Sequence, residues 1–582
     1  MNIGVSMKKL MNGAENIVVE MCKGFVLAHP ELAFNESYKI VSRKQKHQNV
    51  ALISGGGSGH EPAHAGFVGT GMLDAAVCGD VFASPSQIQI YKALTQVATE
   101  KGVLMIIKNY SGDMMNFQNG AALATEDGIK VDYVKVADDI AVKDSLYTVG
   151  RRGVAGTVFV HKIAGAAASQ GYDLTRVKAL AQKAADNVTS LGFAFTSCTV
   201  PAKGTPTFTL AEDEMEYGVG IHGEPGIRRE KILPSKKLAQ RVVDDLFLDR
   251  PELNEVAVMI NGFGTTPLQE LYVFNQDVCQ HLQTKGIKVY RTFVGNFMTS
   301  IDMAGASVSL LALDDELKTY LDAEANTPAL KMDGSSAQAL ELANQNIESK
   351  QTLNINIETH PEHASIVNEQ FTIENMRYVV DVMSACIIKN EVPFCDLDAH
   401  AGDGDFGMSV AKGFKQLKRQ WHELLQDQHM DDFLRHCSMI IMEYCGGASG
   451  PIWGSAFRAA SKSIKGKTTL SVADFALMLQ DAIKGIQITG ERSFGRGAVV
   501  GDKTLIDALV PCADSWSAHP TLSFKENFSL AAQAAVQGAE STKNIVARMG
   551  RAGTVGDRSL GYPDAGAYGL GVIFTEISDH IK

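Results

Sequence analysis

Apolar and polar positions follow two different rhythms along this chain. In the first half, short β-branched or continuous apolar runs recur at Asn49–Ser54, Val103–Ile107, Lys130–Val136, Phe193–Ser197, Val256–Ile260, Lys288–Thr292 and Val308–Leu313. They read as strands. Between them, Gln87–Glu100, Lys162–Gln170 and Leu174–Leu191 carry Ala-rich or amphipathic spacing and read as helices. Strands alternating with helices predict α/β layers with mixed sheets. From about Ala325 to His363 the chain turns to Gln, Asn, Ser and Thr with few large apolar residues, the composition of a polar linker. Beyond it the period is helical throughout: Phe371–Asn390, Gly407–Leu425, Met430–Tyr444, Ser449–Lys465, Ser471–Ile486, Thr504–Val510, Phe524–Met549 and Ala565–Ser578. The expected architecture is an α/β domain over 1–331, a linker over 332–365 and an all-α bundle or barrel over 366–582.

Composition narrows the class. The 582 residues are 45% hydrophobic and 21% charged, the balance of an ordinary globular chain of more than one domain. A net charge of −12 with no dense basic stretch argues against a nucleic-acid surface. Nine scattered cysteines, none at a Cys-x-x-Cys spacing, read as reduced thiols rather than a zinc site. No apolar stretch follows Met1–Lys9 as a signal peptide's would, and no uncharged apolar run reaches the roughly 20 residues of a membrane span. A cytoplasmic protein is expected.

Three segments of the first half carry chemistry. The strand at Asn49–Ser54 runs into Gly55-Gly-Gly-Ser-Gly-His-Glu-Pro62, so a glycine turn exposes backbone N–H groups at the carboxyl edge of a sheet, where α/β proteins bind ligands. A tight turn alone accounts for the glycines; His60 and Glu61 directly after them point further. The strand Val103–Ile107 delivers Lys108-Asn-Tyr-Ser-Gly-Asp113, which a surface ion pair would also explain. In Tyr217-Gly-Val-Gly-Ile-His-Gly-Glu-Pro-Gly226, His222 lies between glycines that leave its ring approachable.

Together with Gly150-Arg-Arg-Gly-Val-Ala-Gly-Thr157, these runs resemble, in order, the substrate domain of the dihydroxyacetone kinase family over roughly residues 7–330. The resemblance implies that His222 bonds the carbonyl carbon of a short ketose as a hemiaminal. It implies that Gly57, Ser58, Gly59 and Lys108 hold the substrate, and that His60 and Asp113 handle protons. Addition of an imidazole to a carbonyl would discriminate ketoses from glycerol, which has none.

The second half's most diagnostic run is Asp398-Ala-His-Ala-Gly-Asp403-Gly-Asp405-Phe-Gly407. Carboxylates crowded in a glycine-bearing loop repel unless a cation offsets them, and oxygen ligands suit Mg²⁺ or Ca²⁺. The spacing is not that of an EF-hand. A solvated acidic loop is the plain alternative. The run resembles the ATP-binding domain of the same family, as do Gly446–Pro451, Gly501–Ala508, Gly550–Gly553, Gly556–Ser559 and Asp564–Gly566. The resemblance implies that Asp398, Asp403 and Asp405 hold two Mg²⁺ ions, and that Phe406, Gly407, Met408, Ser409, Ala448 and Ser449 contact phosphates. It further implies that Leu505 flanks the base, while Arg551, Asp564, Ala565 and Gly566 close the site. Ala565 stands where the family pattern has proline, and Arg551-Ala-Gly lacks the usual Ser-Tyr pair. Independently, Ser449 and Gly407 each open a predicted helix, whose N–H groups suit an anion.

Gly466-Lys467-Thr468 imitates the end of a P-loop, but position 461 is Ser461 and a helix precedes it. Gly218–Gly223 and Gly402–Gly407 fit Gly-x-Gly-x-x-Gly by count, without the strand-to-helix setting of a dinucleotide site. The expectation is therefore an ATP- and Mg²⁺-dependent dihydroxyacetone kinase, homodimeric through its substrate domain, with domain exchange between subunits open. A kinase for erythrulose, a metal-dependent FMN-cyclising lyase, a phosphocarrier-driven enzyme and a non-catalytic ketose sensor are the competing readings.

Overall fold

A computed structural model describes residues 9–142, 150–338, 340, 353–549, 553 and 556–582. The chain divides into two compact units, Met1–Asn344 and Gln345–Lys582. The first is α/β and the second helical.

The first unit holds two six-stranded mixed sheets. One is formed by β1 (Leu32–Asn35), β2 (Ile40–Arg43), β3 (Ala51–Ser58), β4 (Ala75–Val81), β5 (Val103–Lys108) and β6 (Val131–Val136), in the order β1-β2-β4-β3-β5-β6. Its β4-β3-β5-β6 part is parallel. Parallel strands covered on both faces need apolar side chains at every position, and β3 and β5 are buried throughout. Alternation sorts their residues: Leu52, Leu104 and Ile106 face one core, while Ile53, Met105 and Ile107 face the other. The second sheet comprises β7 (Val188–Ala194), β8 (Glu214–Tyr217), β9 (Arg228–Lys231), β10 (Glu255–Gly262), β11 (Lys288–Gly295) and β12 (Gly305–Ala312), in the order β11-β10-β12-β7-β8-β9. It is antiparallel except for the β10–β11 pair.

Helix Thr157–Ser169 joins these layers. It is mostly apolar and buried from Thr157 to Ala168, His161 and Lys162 included, as a helix enclosed within a core is. Ala257 and Met259 of β10 share its core with Leu52 and Ile106 of the first sheet. The predicted helix Leu174–Leu191 stops at Asp186, because Val188-Thr-Ser-Leu is taken by β7. β-branched residues pair better on a pleated sheet than they extend a helix.

In the second unit each long helix packs on the next, from Met430–Tyr444 through Ala565–His580. The last helix closes on Ile373–Lys389, which packs on Phe406–Arg419 and so completes a ring. Helix Ile506–Ala518 continues through Pro511, past the predicted end at Val510. Proline removes one donor, and burial of Cys512, Ala513 and Trp516 holds the next turns in place. The helix predicted over Phe524–Met549 ends at Ser541. Residues 357–364 lie against the ring, contributing Ile357 and Ala364 to its core. Asp381 and Lys418, both fully buried, pair at 2.6 Å, and Asp381 Oδ2 accepts from the backbone N–H groups of Glu358 and Thr359, both at 2.7 Å.

Candidate functional site

β3 and β5 end side by side, which brings the glycine run and Lys108 together. Lys108 is fully buried. Its Nζ donates to His64 Nε2 at 3.2 Å and lies 3.5 Å from Asp113 Oδ2. Gly56, at φ +154°, leaves room for this ammonium: a Cβ there would lie 2.3 Å from Nζ. Asp113 sits in the first turn of helix Ser111–Glu126, and its Oδ1 accepts from the Ser84 hydroxyl. His64 is kept neutral, its pKa lowered well below the usual imidazole value by burial and then by Lys108. Its Nδ1 faces Ser54 Oγ at 3.3 Å, and that hydroxyl donates to the Ile106 carbonyl.

His60 and His222 meet over this base, their Nε2 atoms 3.2 Å apart. The tautomers follow from the partners. His60 Nδ1 faces the Thr299 carbonyl at 2.8 Å, which only accepts, so Nδ1 carries the proton. Burial first, then the neighbouring His222 and the Lys108 ammonium, lowers the His60 pKa well below normal. Its Nε2 is therefore a lone pair, and His222 Nε2–H donates to it. The His222 pKa is pushed down to about 3 by dense packing, then by Lys108 and Arg152. Tyr110 and Phe82 stand edge-on to its ring, with centroids 4.6 and 5.3 Å away. A neutral imidazole between aromatic edges, beside a second neutral imidazole, is a nucleophile with a proton carrier at hand.

Ser58 ends β3 and Gly59 follows it, both with their polar groups turned inward. Ser58 Oγ donates to the Gly79 carbonyl at 2.7 Å, and Gly59 N–H donates to the Glu61 carboxylate. Gly57 fits under Phe82 and Ala83, where a Cβ would come within 2.7 Å. Sequence reasoning passed over Tyr110 and Arg152, although both lie inside runs that it singled out. Phe82, Ser84 and His64 went unassigned as well. Phe82, a non-glycine residue at φ +56°, carried no sequence signal.

In the helical unit Asp398 ends helix Glu391–Asp398 and Asp405 precedes helix Phe406–Arg419. Asp403 lies between them, exposed. One oxygen from each carboxylate falls within 4.8 Å of the others. Asp398 Oδ2 also accepts from the Asp405 and Phe406 N–H groups at 3.1 and 3.4 Å. Three hard oxygen donors so close fit a Mg²⁺-type cation and otherwise repel.

A cavity of about 220 Å³ opens beside this cluster. Phe406, Ser409, Ala448, Ser449, Leu505, Asp564, Ala565 and Gly566 line it with Asp398, Asp403 and Asp405. Ser449 begins the helix Ser449–Ser463. Gly407 and Met408 are not in the lining: Gly407 packs against the Glu391 carbonyl, and the Met408 side chain is exposed. Arg551 lies outside the described residues. Asp564 caps the last helix by accepting from Ala567 N–H at 2.8 Å. Burial above all raises its pKa to about 7. Below the cavity the buried Lys503 ammonium donates to three backbone carbonyls, those of Thr542 (2.9 Å), Tyr562 (2.8 Å) and Ser559.

Residues 23–329 match the Dak1 domain family, and residues 400–579 match the DAK2 domain family. The dihydroxyacetone-binding subunit DhaK of a PTS-dependent dihydroxyacetone kinase from Listeria innocua is 51% identical over 314 residues, covering 53% of this chain and 95% of that one. An L-erythrulose 1-kinase from Mycolicibacterium smegmatis is 33% identical over 586 residues, 99% of this chain and all of that one. The crystal structure of the C. freundii dihydroxyacetone kinase with AMP-PNP and Mg²⁺ aligns at a TM-score of 0.58 and 31% identity, over 99% of this chain and all of that one.

Proposed function

Since the chain belongs to the dihydroxyacetone kinase family, we propose that it transfers the γ-phosphoryl group of ATP to dihydroxyacetone held covalently on His222. The observation that carries this reading is the neutral His222–His60 pair, Nε2 to Nε2 at 3.2 Å, above the buried Lys108 and Asp113. The new bond joins a His222 ring nitrogen to the carbonyl carbon as the C=O π pair moves onto oxygen. The imidazole gives up the proton it carries and the oxygen gains one; His60 carries it from one to the other. Lys108 and the Gly57–Gly59 backbone hold the ketose. Asp113 accepts the proton of the substrate hydroxyl as that oxygen bonds to phosphorus and the bond to ADP breaks.

Asp398, Asp403 and Asp405 are the residues to hold Mg²⁺, as two ions, and bound metal supplies charge neutralisation on the phosphates. The helix opening at Ala448–Ser449, with Phe406 and Ser409, faces the phosphates, Leu505 the base, and Arg551 with Asp564–Gly566 the rim. Residues 1–331 then form the ketose domain and 366–582 the nucleotide domain, with 332–365 between them. A cytoplasmic homodimer completes the reading; no helix among the described residues is long and apolar enough to cross a membrane.

The test is a coupled assay of ADP release from Mg-ATP with dihydroxyacetone, erythrulose and glycerol, for wild type and His222→Ala. Ketose-dependent release that collapses in the variant is the expected result. Release that is equal with glycerol, or unchanged in the variant, would sink the reading. The 33% identity to an L-erythrulose 1-kinase favours erythrulose as second acceptor, and the same assay ranks the two. The 51% identity of the first unit to a PTS-dependent subunit favours another donor, a phosphocarrier that recharges bound ADP. That arrangement would give one burst of product per enzyme rather than turnover.

A further inference from the structure

His222 stands on the loop Gly218–Gly226 between β8 and β9, and charged side chains brace its middle. Glu224, two residues on, accepts the His222 backbone N–H with Oε2 at 2.9 Å. Its Oε1 accepts from Arg152 Nη1, also at 2.9 Å. Arg152 is almost fully buried. Its Nε donates to Asp139 Oδ2 at 2.7 Å, and its Nη2 donates to the Gly218 carbonyl at 3.0 Å. Asp139 is itself fixed: its Oδ1 accepts from Ala141 N–H at 2.9 Å, and its own N–H donates to the Arg152 carbonyl. The loop is folded tightly around this chain of charges. A Cβ at Gly220 would lie 1.8 Å from Glu224 Oε1 and 2.7 Å from Arg152 Nη1. The hydrogen bond of the His222 backbone N–H therefore ends on Glu224, which Arg152 holds in turn, and the bonds these two side chains make here go to the loop backbone, to each other and to Asp139 rather than to the His222 ring.

We propose that Arg152 and Glu224 are positioning residues for ketose capture, a clamp anchored on Asp139 that sets where His222 presents its ring. The proposal rests on the reading of His222 as the ketose-bonding residue. A planar guanidinium meeting two carboxylates and a carbonyl fixes direction as well as distance. The same guanidinium is a fixed positive charge near the imidazole. With Lys108 it disfavours protonation of His222, whose ring otherwise faces His60 and Tyr110. Arg152 thus sets both the place and the protonation of the ring.

The test uses the full-length protein with dihydroxyacetone labelled with ¹³C at the carbonyl carbon. Bound ketose moves that signal from the ketone to the sp³ region, so capture is read without ATP. Glu224→Gln keeps the shape but turns an N–H₂ group toward either Arg152 or the His222 N–H. It should weaken capture and raise the ketose KM about tenfold, with the ATP KM unchanged. Arg152→Met should do more, and the acid limb of its capture profile should move to higher pH as the His222 pKa rises. Arg152→Lys should restore the charge and the pH profile but only part of the affinity. If Arg152→Met does not fold, Glu224→Gln and Arg152→Lys decide the matter. Wild-type capture and pH profile in both would overturn the clamp, as would an equal loss of ATP affinity. No sp³ signal in the wild type would overturn the covalent reading of His222 and the clamp with it.

Discussion

The pocket of the first unit is built from groups already bonded to one another. Lys108 is committed to His64 and Asp113 to Ser84, while His60 joins Thr299 to His222 and Arg152 joins Asp139 to Glu224. The acidic loop of the second unit is open, with Asp403 exposed and one oxygen from each of three carboxylates within 4.8 Å of the others. A small uncharged substrate brings little binding energy of its own, so its site must be preorganised in the fold. A metal–nucleotide complex brings several charges and can order a loop that offers only oxygen donors. The two pockets should therefore fail in different ways.

The largest difference lies in single residues. His222→Ala should reduce ketose-dependent ADP release by on the order of 10³-fold or more while nucleotide binding, followed by calorimetry, stays unchanged. A comparable loss of Mg-ATP affinity would erase the division of labour. Next, Asp381→Asn should destabilise the helical unit by about 3 kcal/mol, because it leaves Lys418 buried with only Glu358 as a charged partner. Urea unfolding followed on each unit should show the ketose unit unaffected.

A milder contrast separates the units in acid. His161 is fully buried, both its ring nitrogens lack a partner among the described residues, and burial lowers its pKa to about 3. The unfolded chain takes up that proton below about pH 6.5 and the folded one does not, so stability falls as pH drops from about 6.5 toward 3. This one group costs about 2 kcal/mol at pH 5, and His60, His64 and His222 act in the same direction. Urea midpoints at pH 7.5, 6 and 5 should shift for the ketose unit; a flat response would show these histidines to be protonated in the fold. At the nucleotide site, Asp403→Asn should weaken Mg²⁺-dependent nucleotide binding about tenfold, read as a rise in the Mg²⁺ concentration needed for half-saturation. The smallest effect is expected at Leu505. It lies against Gly566, and its change to Ala removes apolar contact worth about 1 kcal/mol, a several-fold loss of ATP affinity.

Much of this division could be read from the chain. The switch from β-branched runs to helical spacing marks the two fold types, and continuous apolar runs such as Val103–Ile107 give a strand buried on both faces. Asp398, Asp403 and Asp405 are close in sequence and remain close in space, since one loop carries them all. Contacts that span the chain could not be read this way. Thr299 reaches His60 across 239 positions and Arg152 reaches Glu224 across 72, and no local pattern announces either. Local spacing also misled where tertiary packing overrode it, as at Pro511 and at Val188.

Lys503 places an ammonium inside a cage of three main-chain carbonyls at the cavity beside the acidic cluster. Such a cage has the chemistry of a potassium site, with the difference that its cation is tethered to the chain. A free ion would come and go with the salt around the protein; this one cannot leave. The carbonyls of Thr542, Ser559 and Tyr562 are thus gathered under the cavity independently of the monovalent salt in the medium.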